Sequence, residues 1–307
     1  MVHFIGAGPG DPELITRKGA RLLREAEIVI YAGSLVNPAL LEECRADARI
    51  YDSKDMDLDE VCALYLEAAQ SGANVARLHT GDPSLYGAIR EQMDFLKVHG
   101  IDYDVCPGVS AFCGAAAALQ TEYTLPGVTQ TVIISRAEGR TPVPEREQLA
   151  KLAVHQATMV LFLSATLAGK VKTELLAGGY PEDTPTAVVF RASWPDERVV
   201  RTTLAKLPAA FDTPEARNEA GRLKPALIIV GCAIDDAYLY RFEAEKYFLV
   251  INAGNIDKDL AHLTREAERY NVTLTNVSDR YAAIAVQGPE AKKLLMTLSG
   301  GKALTRE

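Results

Sequence analysis

The sequence contains few of the residues that mark metal, disulfide or redox proteins. Among its 307 residues are five cysteines, five histidines and a single tryptophan. The cysteines are odd in number and form no C-x-x-C pair, and the histidines form no H-E-x-x-H or other close metal spacing. We therefore predict reduced thiols and no protein-bound metal site.

An excess of positive charge and a long apolar run are also missing. The formal net charge is −8, which disfavours a nucleic-acid partner because such a partner requires a concentrated basic surface. The apolar stretch "AFCGAAAALQ" at 111–120 is far shorter than the roughly 20 residues that cross a bilayer. Val2 to Ile5 lead into a glycine turn and not into a signal peptide, so we expect a cytoplasmic protein without a membrane partner.

What the chain does contain is an alternation of apolar strands and amphipathic helices, which favours an α/β fold with a mostly parallel sheet. A break near 121–130, after which the pattern restarts, predicts two α/β domains at 1–121 and 122–233. Residues 234–307 predict a smaller α+β appendage of β–α–β type that begins with a β-hairpin. Predicted helices fall at 13–26, 57–71, 84–99, 110–119, 144–156, 166–180, 207–222 and 255–270, and predicted strands of the appendage include 272–278 and 281–288.

The first strand ends in the turn "GAGPGDP", which resembles a phosphate-binding loop only in part. A dinucleotide fingerprint has glycine at its first, third and sixth positions, and here the sixth position is Asp11. Pro9 and Pro12 also remove two backbone N–H donors. The turn is therefore interpreted as a site for a ligand that lacks phosphate but needs close approach of the backbone.

Two further turns follow predicted strands, "LHTGDPSLYG" at 78–87 and "CPGVSAF" at 106–112. In the first, Gly81 permits a tight turn, Asp82 or Ser84 is expected to cap the helix at 84–99, and Pro83 suits its first turn. Each turn alone is also explained as an ordinary strand-to-helix connection. Three of them in one domain indicate a shared site at the carboxyl ends of the strands.

Together with "YAGSLV", these turns resemble the tetrapyrrole (uroporphyrin/corrin) methyltransferases. "SRAEGRTPVP", "LFLSATL" and "ASWPDERVVRTTL" narrow the resemblance to the precorrin-4 / cobalt-precorrin-4 C11-methyltransferases of cobalamin biosynthesis, over about residues 2–233. The resemblance implies two α/β domains flanking a cleft, S-adenosylmethionine as methyl donor with S-adenosylhomocysteine as its product, a tetrapyrrole (precorrin) substrate and a homodimer. By position it implies cofactor contacts at Pro9, Gly81, Asp82, Ser84, Leu85, Tyr86, Ser110, Ala111, Phe162, Leu163, Ala192, Pro225 and Ala226.

Methyl transfer from a sulfonium releases a neutral group, so alignment and exclusion of water can supply much of the rate and no nucleophile is required. Asp82, Asp11 and Glu122 are candidates for a base, with capping or turn structure as the alternative for each. A polycarboxylate substrate requires cations, which predicts Arg136 and Arg140 as its contacts and Arg191 and Arg201 as weaker candidates.

The segment at about 234–300 instead resembles an internal fragment of the glycine-cleavage aminomethyltransferases, which bind tetrahydrofolate. The folate contacts of that family would fall on Asp235 or Asp236 and on Asn252. The join suggests a chimera, natural or engineered. Three functions therefore remain open: a methyltransferase, a chimera that keeps the cofactor site without turnover, and a folate-dependent carrier.

Overall fold

A computed structural model describes residues 1–33, 35–125, 128–231, 237–243, 246–251, 256–267 and 271–280. The described residues up to 235 form one compact unit, and those from 236 onward form another. The first unit holds two five-stranded sheets, and the second holds a two-stranded sheet. The predicted α/β architecture with two sheets is confirmed.

The first sheet is entirely parallel and has the order β3-β2-β4-β1-β5. Helices cover both faces of the sheet, and all five residues of β1 and all five of β4 are therefore buried. The strands are β1 (Val2–Gly6), β2 (Ile28–Tyr31), β3 (Arg49–Asp52), β4 (Val75–His79) and β5 (Tyr103–Cys106).

Polar caps fix where two of the helices begin. The Thr16 hydroxyl accepts the Gly19 N–H at the start of α1, and Asp57 and Glu60 form a reciprocal capping box at the start of α2. The helices are α1 (Arg17–Glu25), α2 (Leu58–Ser71), α3 (Arg90–Val98), α4 (Ala111–Leu119), α5 (Leu149–Leu152), α6 (Ala168–Ala177) and α7 (Ile256–Ala267).

The second sheet is mixed and has the order β6-β7-β10-β8-β9. Strands β6 and β7 are parallel, whereas β10 runs antiparallel to both of its neighbours. Strands β8 and β9 form an antiparallel ladder at one edge of this sheet. The strands are β6 (Val132–Arg136), β7 (Thr158–Phe162), β8 (Pro185–Phe190), β9 (Arg198–Thr203) and β10 (Ala226–Val230).

The last helix of the first domain packs on the second sheet. Ala115 and Leu119 of α4 share one buried cluster with Val160, Ala187 and Ile229. Helix α4, which follows the last strand of the first sheet, is therefore joined to the second sheet by a buried apolar contact. The predicted boundary near residue 121 stays a prediction.

Several predicted helices are wrong in extent or type. The helix predicted at 84–99 begins only at Arg90, because Tyr86 and Ala88 have left-handed backbone that interrupts a right-handed helix. The prediction at 144–156 yields only one turn of α-helix flanked by 3₁₀ turns. The prediction at 207–222 is wrong, since Pro208 and Pro214 each lack a backbone donor and the segment forms 3₁₀ turns.

The second unit begins with the predicted hairpin, formed by β11 (Ala237–Glu243) and β12 (Lys246–Ile251), and continues into α7. The strand predicted at 272–278 is wrong, because residues 272–277 have no regular structure. The predicted strand at 281–288 and the folate candidates Asp235, Asp236 and Asn252 lie outside the described residues. Within the described ranges, no helix has the length and apolar character needed to span a membrane.

Candidate functional site

The topology of the first sheet opens a crevice at the carboxyl ends of β1 and β4. After β1 the chain enters α1, whose Leu23 packs with Ile5 on one face of the sheet. After β4 it enters α3, whose Leu96 packs with Phe4 on the other face. Because neighbouring strands send their connections to opposite faces, a ligand crevice forms between them.

Three glycines meet at the floor of this crevice. A Cβ on Gly6 would lie 2.7 Å from the Gly81 carbonyl oxygen, and a Cβ on Gly108 would lie 2.6 Å from Gly6 Cα. Real Cβ atoms do not approach backbone so closely, so only glycine allows the three turns to pack together. The predicted convergence of the three turns is thus a feature of the structure.

Backbone hydrogen bonds join the first two turns directly. The Gly81 N–H donates to the Gly8 carbonyl at 2.8 Å, and the Ala7 N–H donates to the His79 carbonyl at 2.8 Å. Gly8 and Gly81 both have left-handed backbone, which other residues adopt only at a cost. The crevice floor therefore consists of backbone, and backbone hydrogen bonds hold its turns together.

Asp82 ties the second turn to the third. Its carboxylate accepts the backbone N–H and the hydroxyl of Ser84 and, at 2.9 Å, the backbone N–H of Gly108. Partial burial acts to raise the pKa of Asp82, but these hydrogen bonds, led by that of the Ser84 hydroxyl, outweigh burial and lower it. Asp82 is thus an anion at neutral pH, and the predicted role of Asp82 or Ser84 as cap of a helix at 84–99 is wrong.

Residues with unusual backbone conformations lie in the turn after β4 and in the loops after β7 and β8 of the second sheet. Tyr86, Leu163, Arg191 and Ser193 all have positive φ, between 46° and 62°. The Tyr86 ring, from the first domain, lies 5.3 Å from the ring of Phe162, and both Tyr86 and Leu163 are exposed. Left-handed backbone in non-glycine residues costs energy and is frequent at ligand sites, so these four residues are candidates for a second wall of the site, called the second wall below.

The remaining predicted cofactor residues lie on the same border. A Cβ on Gly114 of α4 would contact both Pro9 and Ala192, so these residues meet beside that helix. Ser110 is buried at the start of α4, directly before Ala111.

The other predicted cofactor residues make backbone contacts. The Pro225 carbonyl accepts the Arg191 N–H at 2.9 Å, and Ala226 pairs with Phe190 in the second sheet. In the turn after β4, Leu85 donates its N–H to the Asp82 carbonyl.

The two arginines predicted to bind substrate differ in how they are engaged. The Arg136 guanidinium donates to the carbonyls of Thr141 and Pro142 at 3.0 Å, so it holds the loop that carries Arg140. Arg140 is exposed. Partial burial raises the pKa of Tyr86, and the charge of Arg136 acts to lower it.

The weaker arginine candidates have structural partners. Arg191 forms an ion pair with Asp196 at 2.6 Å, and Arg201 donates to the Leu119 carbonyl at 3.0 Å. Of the other candidate bases, Asp11 accepts the Glu13 N–H as a cap, and Glu122 accepts the Thr124 hydroxyl. Both contacts agree with the alternative of local turn structure.

A buried polar group that the sequence did not indicate lies behind the floor. Burial first, and the nearby charge of Arg77 second, lower the pKa of His79 to about 3. Its Nε2 is buried and has no hydrogen-bond partner. Arg77 is itself buried and donates to the Ser53 hydroxyl at 3.0 Å and to Gln92. His79 is therefore a neutral imidazole in an apolar setting.

Sequence reasoning also missed the contacts that Ser193 and Trp194 make with the first turn. The Trp194 indole donates to the Pro9 carbonyl, 185 positions away. The sequence signal was present in the only tryptophan of the chain, within "ASWPDE", but nothing local indicated its partner.

Comparison with known families agrees with the first-domain turns. The family model of Tetrapyrrole (Corrin/Porphyrin) Methylases matches residues 1–208. A second model, the GCVT N-terminal domain, matches residues 214–307. The two resemblances and the two family matches follow the same order along the chain, although the second match begins at residue 214 and not near residue 234.

Curated relatives cover most of the chain. A cobalt-precorrin-4 C(11)-methyltransferase from Methanocaldococcus jannaschii is 52% identical over 237 residues, which are 77% of this chain and 89% of the relative. A precorrin-4 C(11)-methyltransferase from Pseudomonas aeruginosa is 46% identical over 79% of this chain and 96% of its own.

Solved structures share the fold of the same region. An X-ray structure of a cobalamin biosynthetic enzyme, cobalt precorrin-4 methyltransferase, superposes with a TM-score of 0.72 and 48% identity, over 76% of this chain and 96% of that one. A uroporphyrin-III C-methyltransferase from Thermus thermophilus, complexed with S-adenosylhomocysteine, gives 0.61 and 31% identity over 75% and 96%.

Proposed function

The chain belongs to the tetrapyrrole (corrin/porphyrin) methylases, and from that premise we propose that it transfers a methyl group from S-adenosylmethionine to C11 of precorrin-4 or cobalt-precorrin-4. The observation that carries the proposal is the crevice in which the turns of β1, β4 and β5 meet through three glycines. The reaction would form part of cobalamin biosynthesis, and the family premise implies a homodimer.

The residues of the crevice suit this cofactor better than they suit a nucleotide. Gly6, Gly81 and Gly108 let the three turns pack together through their backbones, so no side chain separates the turns at the floor. Asp82 places an ionised carboxylate beside the floor, which repels a phosphate and attracts a cation. When bound, S-adenosylmethionine supplies an activated methyl group on a positively charged sulfur.

The protein's part in catalysis is to bind, orient and exclude water. The wall formed by Tyr86, Phe162 and Leu163 presents apolar surface at the mouth of the crevice. Because the group that leaves is neutral, no developing anion needs stabilising, and alignment of the reactants is the main requirement. Asp82 is fully engaged with Ser84 and Gly108, so it supports the geometry of the turns.

Binding of S-adenosylhomocysteine measured by calorimetry tests the cofactor half of the proposal, and methylation of the tetrapyrrole, with and without cobalt, tests the chemical half. We expect binding and turnover. Binding without turnover would favour the alternative of a chimera that keeps only the cofactor site, and the absence of binding would reject the methyltransferase.

The exposed Arg140 is proposed as the carboxylate contact of the substrate, with Arg136 positioning its loop. Arg140→Ala should raise the tetrapyrrole KM by about tenfold, since a hydrogen bond to a charged group contributes roughly 1.5 kcal/mol or more. The affinity for S-adenosylhomocysteine should stay unchanged.

The matched control is Arg146→Ala, another exposed arginine of the same segment, which pairs with the adjacent Glu147 at 3.6 Å. It should leave the tetrapyrrole KM near that of the wild type. Equal KM values in the Arg140→Ala variant and in the wild type would reject the assignment of Arg140.

A further inference from the structure

The loop after β8 grips the first glycine turn with two neighbouring residues. The Trp194 indole N–H donates to the Pro9 carbonyl at 3.1 Å. The Ser193 hydroxyl accepts the Asp11 N–H at 2.9 Å. Two hydrogen bonds from one short loop therefore fix both ends of the segment Pro9–Asp11.

The Trp194 ring also packs against Gly10, the residue between those ends. A Cβ on Gly10 would lie 2.5 Å from Trp194 Nε1, and closer still to the neighbouring ring carbon. Only glycine leaves room for the indole at this position. The turn and the ring are thus complementary in shape as well as in hydrogen bonding.

Charged side chains of the second sheet's loops and of Lys224 fix the position of the Trp194 ring. The Arg191 guanidinium carbon lies 3.7 Å from the centre of the Trp194 ring, which is the geometry of a cation–π contact. Asp196 fixes Arg191 at 2.6 Å and also accepts from Lys224 at 3.0 Å. The second domain therefore presents a braced aromatic plane to the first.

This arrangement is maintained against a local cost. Arg191 and Ser193, which flank Ala192, both have left-handed backbone, and each such non-glycine residue costs about 1 kcal/mol. Strain of this kind persists where the surrounding contacts determine a required geometry. The contacts made here all converge on the turn whose Pro9 packs beside Ala192 and α4.

We propose that Trp194, with Ser193, is a positioning residue that fixes the Pro9–Asp11 turn for cofactor binding, an inference that rests on the proposed function. Trp194 acts through the turn and touches no reacting atom. Because coupling between two equilibria is reciprocal, cofactor binding must in return stabilise the contact between the indole and the turn.

The test compares the dissociation constant of S-adenosylhomocysteine, by calorimetry, in the wild type and in Trp194→Phe, which keeps an aromatic ring but loses the hydrogen bond. We expect affinity to fall about fivefold, the equivalent of one hydrogen bond of roughly 1 kcal/mol. Ser193→Ala should weaken binding similarly, and the double variant should lose less than the sum because both residues hold one turn.

Tyr180→Phe is the structural control, since it removes one buried hydrogen bond, to the Ala157 carbonyl, within the second domain. It should lower the melting temperature without changing the dissociation constant. Trp194 is the only tryptophan, so quenching of tryptophan fluorescence by acrylamide reports on the contact between the indole and the Pro9–Asp11 turn. Saturating S-adenosylhomocysteine should reduce that quenching.

Equal affinities in the wild type and Trp194→Phe, or quenching that the ligand does not alter, would overturn the positioning role while leaving the proposed function intact. A wild type that does not bind S-adenosylhomocysteine at all would overturn both.

Discussion

The two walls of the crevice both need unusual backbone geometry, but they obtain it with different residues. On the first-domain side, glycine removes side chains so that three turns can touch through their backbones. On the second-domain side, Leu163, Arg191 and Ser193 keep their side chains and accept left-handed backbone. The glycine wall therefore depends on the absence of side chains, whereas the second wall has side chains on residues whose left-handed backbone costs conformational energy.

The difference indicates what each wall contributes. Leu163 is 68% exposed and Tyr86 is 43% exposed, so their side chains gain little from burial in the protein itself. Exposed apolar residues with strained backbone are frequent at ligand sites, and the proposed function assigns both side chains to contact with the ligand. The glycine wall brings three backbone turns into contact, whereas the second wall would supply apolar surface to the ligand.

The glycine wall should be the more fragile of the two. Gly108→Ala places a Cβ against the backbone of Gly6 and Gly81, which cannot move without separating the strands. We expect a loss of about 3 kcal/mol in the free energy of unfolding, measured by urea denaturation, from overpacking and strain.

Gly169→Ala is the matched control, because Gly169 lies in α6 and a Cβ there meets nothing within 4 Å. Alanine should raise the free energy of unfolding by about 0.5–1 kcal/mol through helix propensity. If Gly108→Ala were as stable as this control, the close packing of the three turns would be wrong.

Acid should loosen the glycine wall selectively, because His79 lies behind it while the segments 162–167 and 191–197 contain no histidine. The folded pKa of His79, about 3, lies below its unfolded value of 6.5, so the unfolded chain takes up the proton first. Stability present at pH 7 is therefore lost as the pH falls, by about 2 kcal/mol between pH 7 and pH 5.

Urea denaturation at both pH values measures this loss. His79→Leu should remove about that much of the pH dependence, whereas replacement of the exposed His155 should retain it. An unchanged pH dependence in His79→Leu would mean that folding does not lower the pKa of His79.

The contrast between the walls also explains what the sequence could reveal. Glycine and proline turns after apolar strands predicted the floor, because few residues allow such backbone. Tyr86 gave no such signal, because its side chain does not favour left-handed backbone. The start of the helix was therefore predicted at residue 84, whereas the helix begins at Arg90. The partnership of Trp194 with Gly10 depends on tertiary packing across most of the chain.

The smallest effect on stability is expected on the second wall. In Leu163→Gly, relief of left-handed strain of about 1 kcal/mol is offset by the similar entropic cost of glycine, so the free energy of unfolding should change by less than about 0.5 kcal/mol. The affinity for S-adenosylhomocysteine should nevertheless fall about fivefold, because the lost side chain would bury apolar surface only against the ligand.

Gln120→Gly provides the comparison, because Gln120 is also exposed and left-handed but ends α4 away from the wall. It should be stabilised or unchanged and should bind S-adenosylhomocysteine as the wild type does. Should Leu163→Gly bind as tightly as Gln120→Gly, the left-handed backbone at residue 163 would be a local feature of the turn after β7, and the second wall would owe its apolar surface to Tyr86 and Phe162 alone.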